Sequence, residues 1–419
     1  MTFPAIFTAV IFVLAYLIIA TERLHRTVVA LAGGMLLILA GVLSQEEAFS
    51  AIDFNVIFLL VGMMVIANIM SETGVFQWIA VQSVNTGRGR PLLIMALLCL
   101  VTAGASAILD NVTIVVLIAP ITLFIASALH ISPIPFLVAE IMSSNIGGAA
   151  TIIGDPPNIL VASAANLDFL TFAGNMLPIT LLCLGTLIGI LALQIRREVD
   201  PAPVVSRLDA SGLITDRRLL RQSLIVMGLV LVGFIFHGML GLEPATIAMA
   251  GASLLLIITR RDPFAHLREV EWTTLFFFIG LFIMVAAMVK TGIIAAIAGA
   301  VLNITKGNLR LTANLLLWFS ALFSGIVDNI PYTATLIPLV QQLGRVMPAG
   351  PLWWALIMGA DFGGNLTLIG ASANLVVATV AQRAGYPISF KRYLSYSLVS
   401  TLAVLLLSTL YLWVRYLLF

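Results

Sequence analysis

The chain alternates between long apolar runs and short polar breaks. Phe3–Ala20, Thr27–Leu43, Phe54–Met70, Phe169–Ile195, Ser223–Leu240, Ala245–Thr259, Trp272–Val289 and Leu394–Tyr411 carry no Asp, Glu, Lys or Arg. Each run approaches or exceeds the roughly 20 residues with which a helix crosses the hydrocarbon of a bilayer. Apolar and polar positions do not alternate along them, so strands are not expected. The pattern predicts an all-α polytopic membrane protein. Composition agrees: 61% of residues are hydrophobic and 10% are charged, more apolar surface than one aqueous core could hide. The first run has no basic n-region before it and no small-residue cleavage site, and further spans follow, so a retained helix is expected rather than a signal peptide.

Charge adds a topology. Most of the 21 basic residues fall at Arg23 and Arg26, Arg88 and Arg90, Arg196 to Arg221, Arg260, Arg261 and Arg268, and Arg383, Lys391 and Arg392. All five groups fit on one face of the membrane, which the positive-inside rule makes cytoplasmic. The N- and C-termini, Gln45-Glu46-Glu47, Lys290, Lys306 and Arg310 are then expected outside. The Pro- and charge-rich stretch 196–221 reads as a cytoplasmic linker between an N-terminal half, 1–195, and a C-terminal half, 222–419. Trp78, Trp353 and Trp354 are expected at the membrane interfaces.

The halves repeat each other. Thr73-Gly74, Asp110-Asn111 and Pro120 recur as Thr291-Gly292, Asp328-Asn329 and Pro338, 218 residues on. Gly147-Gly148, Thr151, Gly154 and Asn158 recur as Gly363-Gly364, Thr367, Gly370 and Asn374, 216 residues on. The charge-derived threading puts Asp53 outside and its counterpart Glu271 inside, so the expected repeats have inverted topology, a common plan of secondary transporters.

Two pairs of polar elements fall at membrane depth. Asp110-Asn111 separates the apolar arms Pro91–Leu109 and Val112–Leu129, and Asp328-Asn329 separates Leu311–Val327 from Ile330–Gly344. An acidic residue there costs about 2.5–3.5 kcal/mol on insertion scales, and its repetition points to a transport pathway. Asp and Asn are strong N-cap residues, so each pair is expected to open the second arm of a re-entrant hairpin whose tip can hold an ion. The stretch Ser143 to Asn158 has three glycines and Pro156-Pro157, which a straight helix cannot accommodate. Its counterpart, Asp361 to Asn374, keeps the glycines but has Ser372-Ala373 for the two prolines. Unwound backbone in such spans serves as a binding site in transporters. The candidate substrate- or ion-binding residues are therefore Asp110, Asn111, Thr113, Asn145, Gly147, Gly148, Thr151 and Asn158 in the first half. In the second they are Asp328, Asn329, Thr333, Asp361, Gly363, Gly364, Asn365, Thr367 and Asn374. Glu140 is a candidate proton relay or a partner for a polar group of the hairpin. His237, near a span end, reads as an unremarkable interfacial residue.

Cys99 and Cys183 lie inside apolar runs without metal-ligand spacing, so neither a disulfide nor a metal site is expected. HExxH, GxSxG and Walker motifs are absent, so neither catalysis nor ATP use by this chain is expected; ATP would require a cytoplasmic ATPase partner. No cofactor and no nucleic-acid partner is expected. Of the remaining classes, inverted repeats favour an alternating-access carrier over a channel.

The two motif segments, Asp53 to Asn166 and Glu271 to Tyr386, resemble the ion transporter superfamily, in particular its arsenite permease, sodium/proton antiporter and melanosomal P-protein branch. The resemblance rests on the Asp-Asn hairpins and on Asn145-Ile146-Gly147-Gly148-Ala149-Ala150-Thr151 with Gly154-Asp155-Pro156-Pro157-Asn158. It implies a citrate-transporter-like fold with a scaffold domain and a transport domain, the latter holding both hairpins and both unwound spans, and a homodimer joined through the scaffold. The dicarboxylate branch carries Ser-Asn-Thr at its hairpin tips, where this chain has Asp110-Asn111-Val112-Thr113 and Asp328-Asn329. Two added carboxylates would repel a dianion. The expected activity is proton-coupled export of arsenite or antimonite across the inner membrane. Sodium/proton antiport is the alternative, and an organic anion such as citrate is less favoured.

Overall fold

The computed structural model describes residues 2–21, 23–88, 90–129, 131–196 and 209–418. Residues 197–208, most of the first half of the basic linker, lie outside them. Among the described residues the fold is helical throughout, without strands.

The first half runs α1 (Phe3–Ala20), α2 (Arg26–Leu39), a short α3 (Gln45–Ser50), α4 (Phe54–Ser71), α5 (Val75–Gly87), α6 (Pro91–Ser106), α7 (Asn111–Leu129), α8 (Ile134–Gly148), α9 (Pro156–Ala165) and α10 (Phe169–Ile195). The second half repeats this order as α11 (Arg217–Leu240), α12 (Pro244–Thr259), α13 (Pro263–Arg268), α14 (Trp272–Lys290), α15 (Ile293–Thr305), α16 (Leu309–Ser324), α17 (Asn329–Leu343), α18 (Gly350–Gly363), α19 (Ser372–Arg383) and α20 (Phe390–Leu412). A short π-helical turn, Trp413–Leu417, follows. Among the described residues, five helices are long and apolar enough to span a membrane by length and composition: α4, α10, α11, α14 and α20 with its extension. They divide by burial. The apolar windows of α4 and α14 are 72% and 61% buried within the protein, whereas those of α10, α11 and α20 are 28–39% buried and carry Leu181, Leu229 and Leu406 outward. The first pair are interior helices, and the other three face lipid.

The repeat extends to backbone conformation and to single contacts. Gly74 and Gly292 share a left-handed φ of 74° and 77°, and Arg88 and Lys306 share 48° and 51°. α2 packs on α14 and its counterpart α12 packs on α4, while α6 packs on α8 as α16 packs on α18. In the first set Gly280 lies against the Ala30 backbone, and Gly62 against the Ala248 backbone; a Cβ at either glycine would fall within 2.6 Å of those atoms. Small residues allow this because lipid gives helices no hydrophobic reason to associate, so close packing must hold them. The reciprocity describes a pseudo-two-fold relation between the halves. With α1, α2, α4, the broken helix α8–α9 and α10 each counted as one crossing, and the short helices α3 and α5 and the α6–α7 hairpin as none, five crossings precede α11. An odd number inverts the second half.

Two bodies result. One is built on two helix pairs, α2 with α14 and α4 with α12, with α1 and α11 alongside; the other holds α6 to α10 and α16 to α20. Within the second body, every residue from Pro135 to Gly148 in α8 and from Leu352 to Gly363 in α18 is buried. These two helices are interior on every face, their polar residues included. Trp353 and Trp354 are therefore not interface anchors: they are 7% and 5% exposed, and Trp354 packs edge-on against Phe172 and stacks on Tyr416. Trp78, 36% exposed, lies at the surface.

Charged groups of the first body cluster at its ends. Lys290 Nζ lies 2.6 Å from Glu47, and this hydrogen bond holds the Glu47 carboxyl below the usual carboxylate range. At the opposite end of α4 and α14, Arg261 and His266 approach Glu72.

Candidate functional site

Both hairpin tips and both helix breaks converge on one buried centre. Asp328 N-caps α17, its Oδ1 accepting from the Ile330 amide at 3.1 Å. In the first half Asp110 Oδ2 accepts from the Thr113 amide at 3.0 Å and from the Thr113 hydroxyl. The capping expected of Asp and Asn before an apolar arm is thus present at both tips.

The breaks are closed by the residues that make them. Asn158 Nδ2 donates to the Gly148 and Thr151 carbonyls, both at 3.0 Å. Asn374 Nδ2 donates likewise to Gly364 and Thr367, both at 2.9 Å. Each asparagine satisfies carbonyls freed where its helix stops, as a buried unwound segment requires. Thr151 Oγ1 then donates to the Ala107 carbonyl and Thr367 Oγ1 to the Gly325 carbonyl, both at 2.5 Å, fastening each break to the adjacent hairpin. Gly147 and Gly363 lie where a Cβ would come within 2.3 Å of the Ala103 and Ala321 backbones. Across the two breaks a Cβ on Gly154 or Gly370 would come within 2.6 Å of the Gly148 or Gly364 carbonyl oxygen. These residues bind the hairpins to the broken helices as rigid units.

What remains forms the centre. Asn145 Nδ2 donates across the pseudo-two-fold to Asn365 Oδ1 and Asn374 Oδ1, both at 2.9 Å, and its Oδ1 accepts from Asn111 Nδ2. Asn365 Nδ2 donates to the Met142 carbonyl. One carboxylate joins the two tips: Asp155 Oδ2 accepts from Asn111 Nδ2 at 2.8 Å and from Asn329 Nδ2 at 3.2 Å. Asp155 is 1% exposed and within electrostatic reach of Asp110, Asp328 and Asp361. Asp361 is fully buried beside the Asn158 amide, and among the described residues neither of its oxygens has a well-formed hydrogen bond; Asn158 Oδ1 and Thr333 Oγ1 are likewise unpartnered. Four carboxylates therefore surround a core of buried amides, an arrangement suited to a proton, a cation or a neutral hydrogen-bonding solute.

The candidates from the repeat motifs all fall within this assembly, either at its centre or in the fastenings around it. Glu140 stands apart: it accepts a short hydrogen bond from Thr122 in the second hairpin arm, while its other oxygen has no partner among the described residues. Two participants escape the sequence reading. Asp155, inside the Gly-Asp-Pro-Pro turn, has Ala371 as its repeat counterpart, so the repeat does not mark it. Arg26, counted as a topology marker, bonds Asp328 Oδ2 through Nη1 at 2.8 Å. An acid at membrane depth was signal enough for Asp155; nothing in the sequence alone placed Arg26 beside Asp328.

Two cavities open where the bodies meet. One, of about 590 Å³, lies between Asp53, Ser163, Phe282, Lys290 and Gln341. The other, about 470 Å³, is lined by Asn55, Asn166, Asp168, His237 and Glu243. Ser163 Oγ donates to Asp53 Oδ2 between them, at 2.5 Å.

Comparison with known proteins agrees with this architecture. The family model described as CitMHS, citrate transporter, matches residues 16–359. The chain belongs to the citrate transporter family. It is 47% identical over 417 residues to the transporter Rv2684 of Mycobacterium tuberculosis, covering 97% of each chain. It is 32% identical over 468 residues to the human P protein, covering 90% of this chain and 56% of that protein. Among solved structures, the YdaH transporter of Alcanivorax borkumensis superposes with a TM-score of 0.58 at 15% identity, covering 85% of this chain and 84% of YdaH. MtrF of Neisseria gonorrhoeae, of a class of antimetabolite efflux pumps, gives 0.61 at 12% identity, covering 99% of this chain and 95% of MtrF. These likenesses show a shared fold. This member of the citrate transporter family is a multi-pass membrane protein and a secondary transporter.

Proposed function

We propose that the chain exports arsenite or antimonite across the inner membrane in exchange for protons, with the linker cytoplasmic and both termini outside. In this reading the body holding the hairpins carries the solute past the body built on α2, α4, α12 and α14. One observation supports the choice of cargo: four carboxylates, Asp110, Asp155, Asp328 and Asp361, meet a single arginine at the site. A di- or trianion such as citrate, which the family description names, would enter against that charge. A neutral arsenous acid molecule would instead find amide donors and carboxylate acceptors.

Exchange of one neutral molecule for one proton moves one charge per cycle. A potential of 100 mV then supplies about 2.3 kcal/mol, roughly fiftyfold accumulation at about 1.4 kcal/mol per decade. In inverted vesicles at equal pH on both sides, valinomycin with potassium should abolish concentrative arsenite transport. If the vesicles ignore arsenite and antimonite yet dissipate a pH gradient when sodium is added, the sodium/proton alternative stands instead.

Asp110 has no arginine, lysine or histidine within 4 Å among the described residues, and supplies the exchangeable carboxylate in this reading. Asp110→Asn keeps its size and capping ability. The variant should insert and fold but lose proton-driven flux by at least tenfold, measured with a pH-sensitive dye in proteoliposomes; flux at the wild-type rate would refute the assignment.

A further inference from the structure

The two tips are unequal in charge, and one residue accounts for it. Arg26 Nη1 lies 2.8 Å from both Asp328 Oδ2 and Ser372 Oγ, and Ser372 Oγ donates to the same carboxylate oxygen at 2.9 Å. The guanidinium also lies 5.4 Å from the centre of the Phe277 ring, a cation–π contact that holds it in place. The repeat counterpart of Arg26 is Pro244 and that of Ser372 is Pro156, so the Asp110 tip has neither group. Asp110 has instead the Thr113 amide and hydroxyl, with the Glu271 carboxylate close enough to repel it. Helix capping does not explain Arg26: it opens α2, and a cation at a helix N-terminus opposes the macrodipole. Nor is it a free surface charge, since its side chain is 27% exposed and that of Asp328 13%.

We propose that Arg26 is a built-in cation that permanently fills the place a mobile cation would take at the second hairpin tip, so that only the Asp110 half exchanges its cation in each cycle. Arg26 comes from the body built on α2 and Asp328 from the hairpin, so the same ion pair ties the two bodies together in this conformation. The other groups facing Asp328 are Tyr16 of α1 and Asp155; neither supplies a positive charge.

The inference rests on the cation-coupled reading, and counting cations separates the two. Purified protein in detergent is titrated from pH 9 to pH 6 without sodium to count protons taken up, and 22Na+ binding is then measured at pH 9. Arg26→Gln should take up one more cation per chain than wild type, as an extra proton or an extra sodium ion. Arg26→Lys and the double variant Arg26→Gln/Asp328→Asn should both return to the wild-type count, which a merely structural role for Arg26 would not produce. An Arg26→Gln count equal to wild type in both measurements overturns the inference. A wild-type chain that takes up neither cation overturns the cation-coupled reading, while the difference between variant and wild type still decides the role of Arg26.

Discussion

Asp155→Asn should abolish coupled transport while leaving the protein folded. The carboxylate accepts from Asn111 and Asn329, one on each hairpin tip. Hydrogen bonds to a charged group contribute about 1.5–3 kcal/mol each, and neutral ones about 0.5–1.5. Asparagine keeps an acceptor oxygen at the same place, so the tips lose part of that attraction. Against this loss stands the relief of repulsion from Asp110, Asp328 and Asp361, which act on Asp155 in a centre from which water is largely excluded. The two effects are opposed and similar in size, so the thermal unfolding midpoint should move by only a few degrees in either direction. Transport has no such compensation, because the charge that joins the tips is gone. The expected loss is at least a hundredfold in turnover, read as cargo flux in proteoliposomes with inserted protein quantified. Asp155→Asn with flux within threefold of wild type would remove Asp155 from the mechanism.

The largest expected effect on stability lies at Gly147. An added Cβ would sit 2.3–2.6 Å from three backbone atoms of Ala103, and a backbone, unlike a side chain, cannot rotate away. Overpacking costs about 1–3 kcal/mol in ordinary cores. Here α6 and α8 would have to separate and draw with them the Thr151 and Ser106 hydrogen bonds that fasten the hairpin. Gly147→Ala should therefore fall at or beyond the upper end of that range, visible as lost monodispersity and a clearly lowered unfolding midpoint. Gly189→Ala is the control. Nothing lies within 4 Å of that Cβ, and replacing a mid-helix glycine contributes about 0.5–1 kcal/mol of added stability. Equal midpoints for the two variants would contradict the close packing.

The fold was largely legible in the sequence because its punctuation is local. Phe3–Ala20 and Phe169–Ile195 begin and end as the apolar runs do, and the breaks at Gly148 and Pro156 follow from glycine and proline. The repeat was legible because glycine, proline and acidic positions at membrane depth tolerate few substitutes. Pairings across the pseudo-two-fold were less so. That Asn145 would donate to Asn365 and Asn374 depends on two halves meeting 220 or more residues apart. Thr151 and Asn158 read as groups open to a ligand, whereas their donors are directed to carbonyls of the hairpin and the break. Unwound backbone must be satisfied by something, and the nearest hydroxyls and amides satisfy it. Arg26 and Asp155 were hidden for the same reason: neither has a like residue in the other half, so a search for symmetry passes over them.

Counterflow tests the central claim most directly, namely that one buried site centred on Asp155 opens alternately to the two sides. Proteoliposomes are loaded with whichever of arsenite, antimonite or sodium the wild type moves, diluted into tracer with no pH gradient or potential, and sampled over time. A carrier with a single alternating site gives transient tracer accumulation above equilibrium in the wild type and none in Asp155→Asn. Tracer that only relaxes to equilibrium in the wild type, or an overshoot that survives Asp155→Asn, would contradict it.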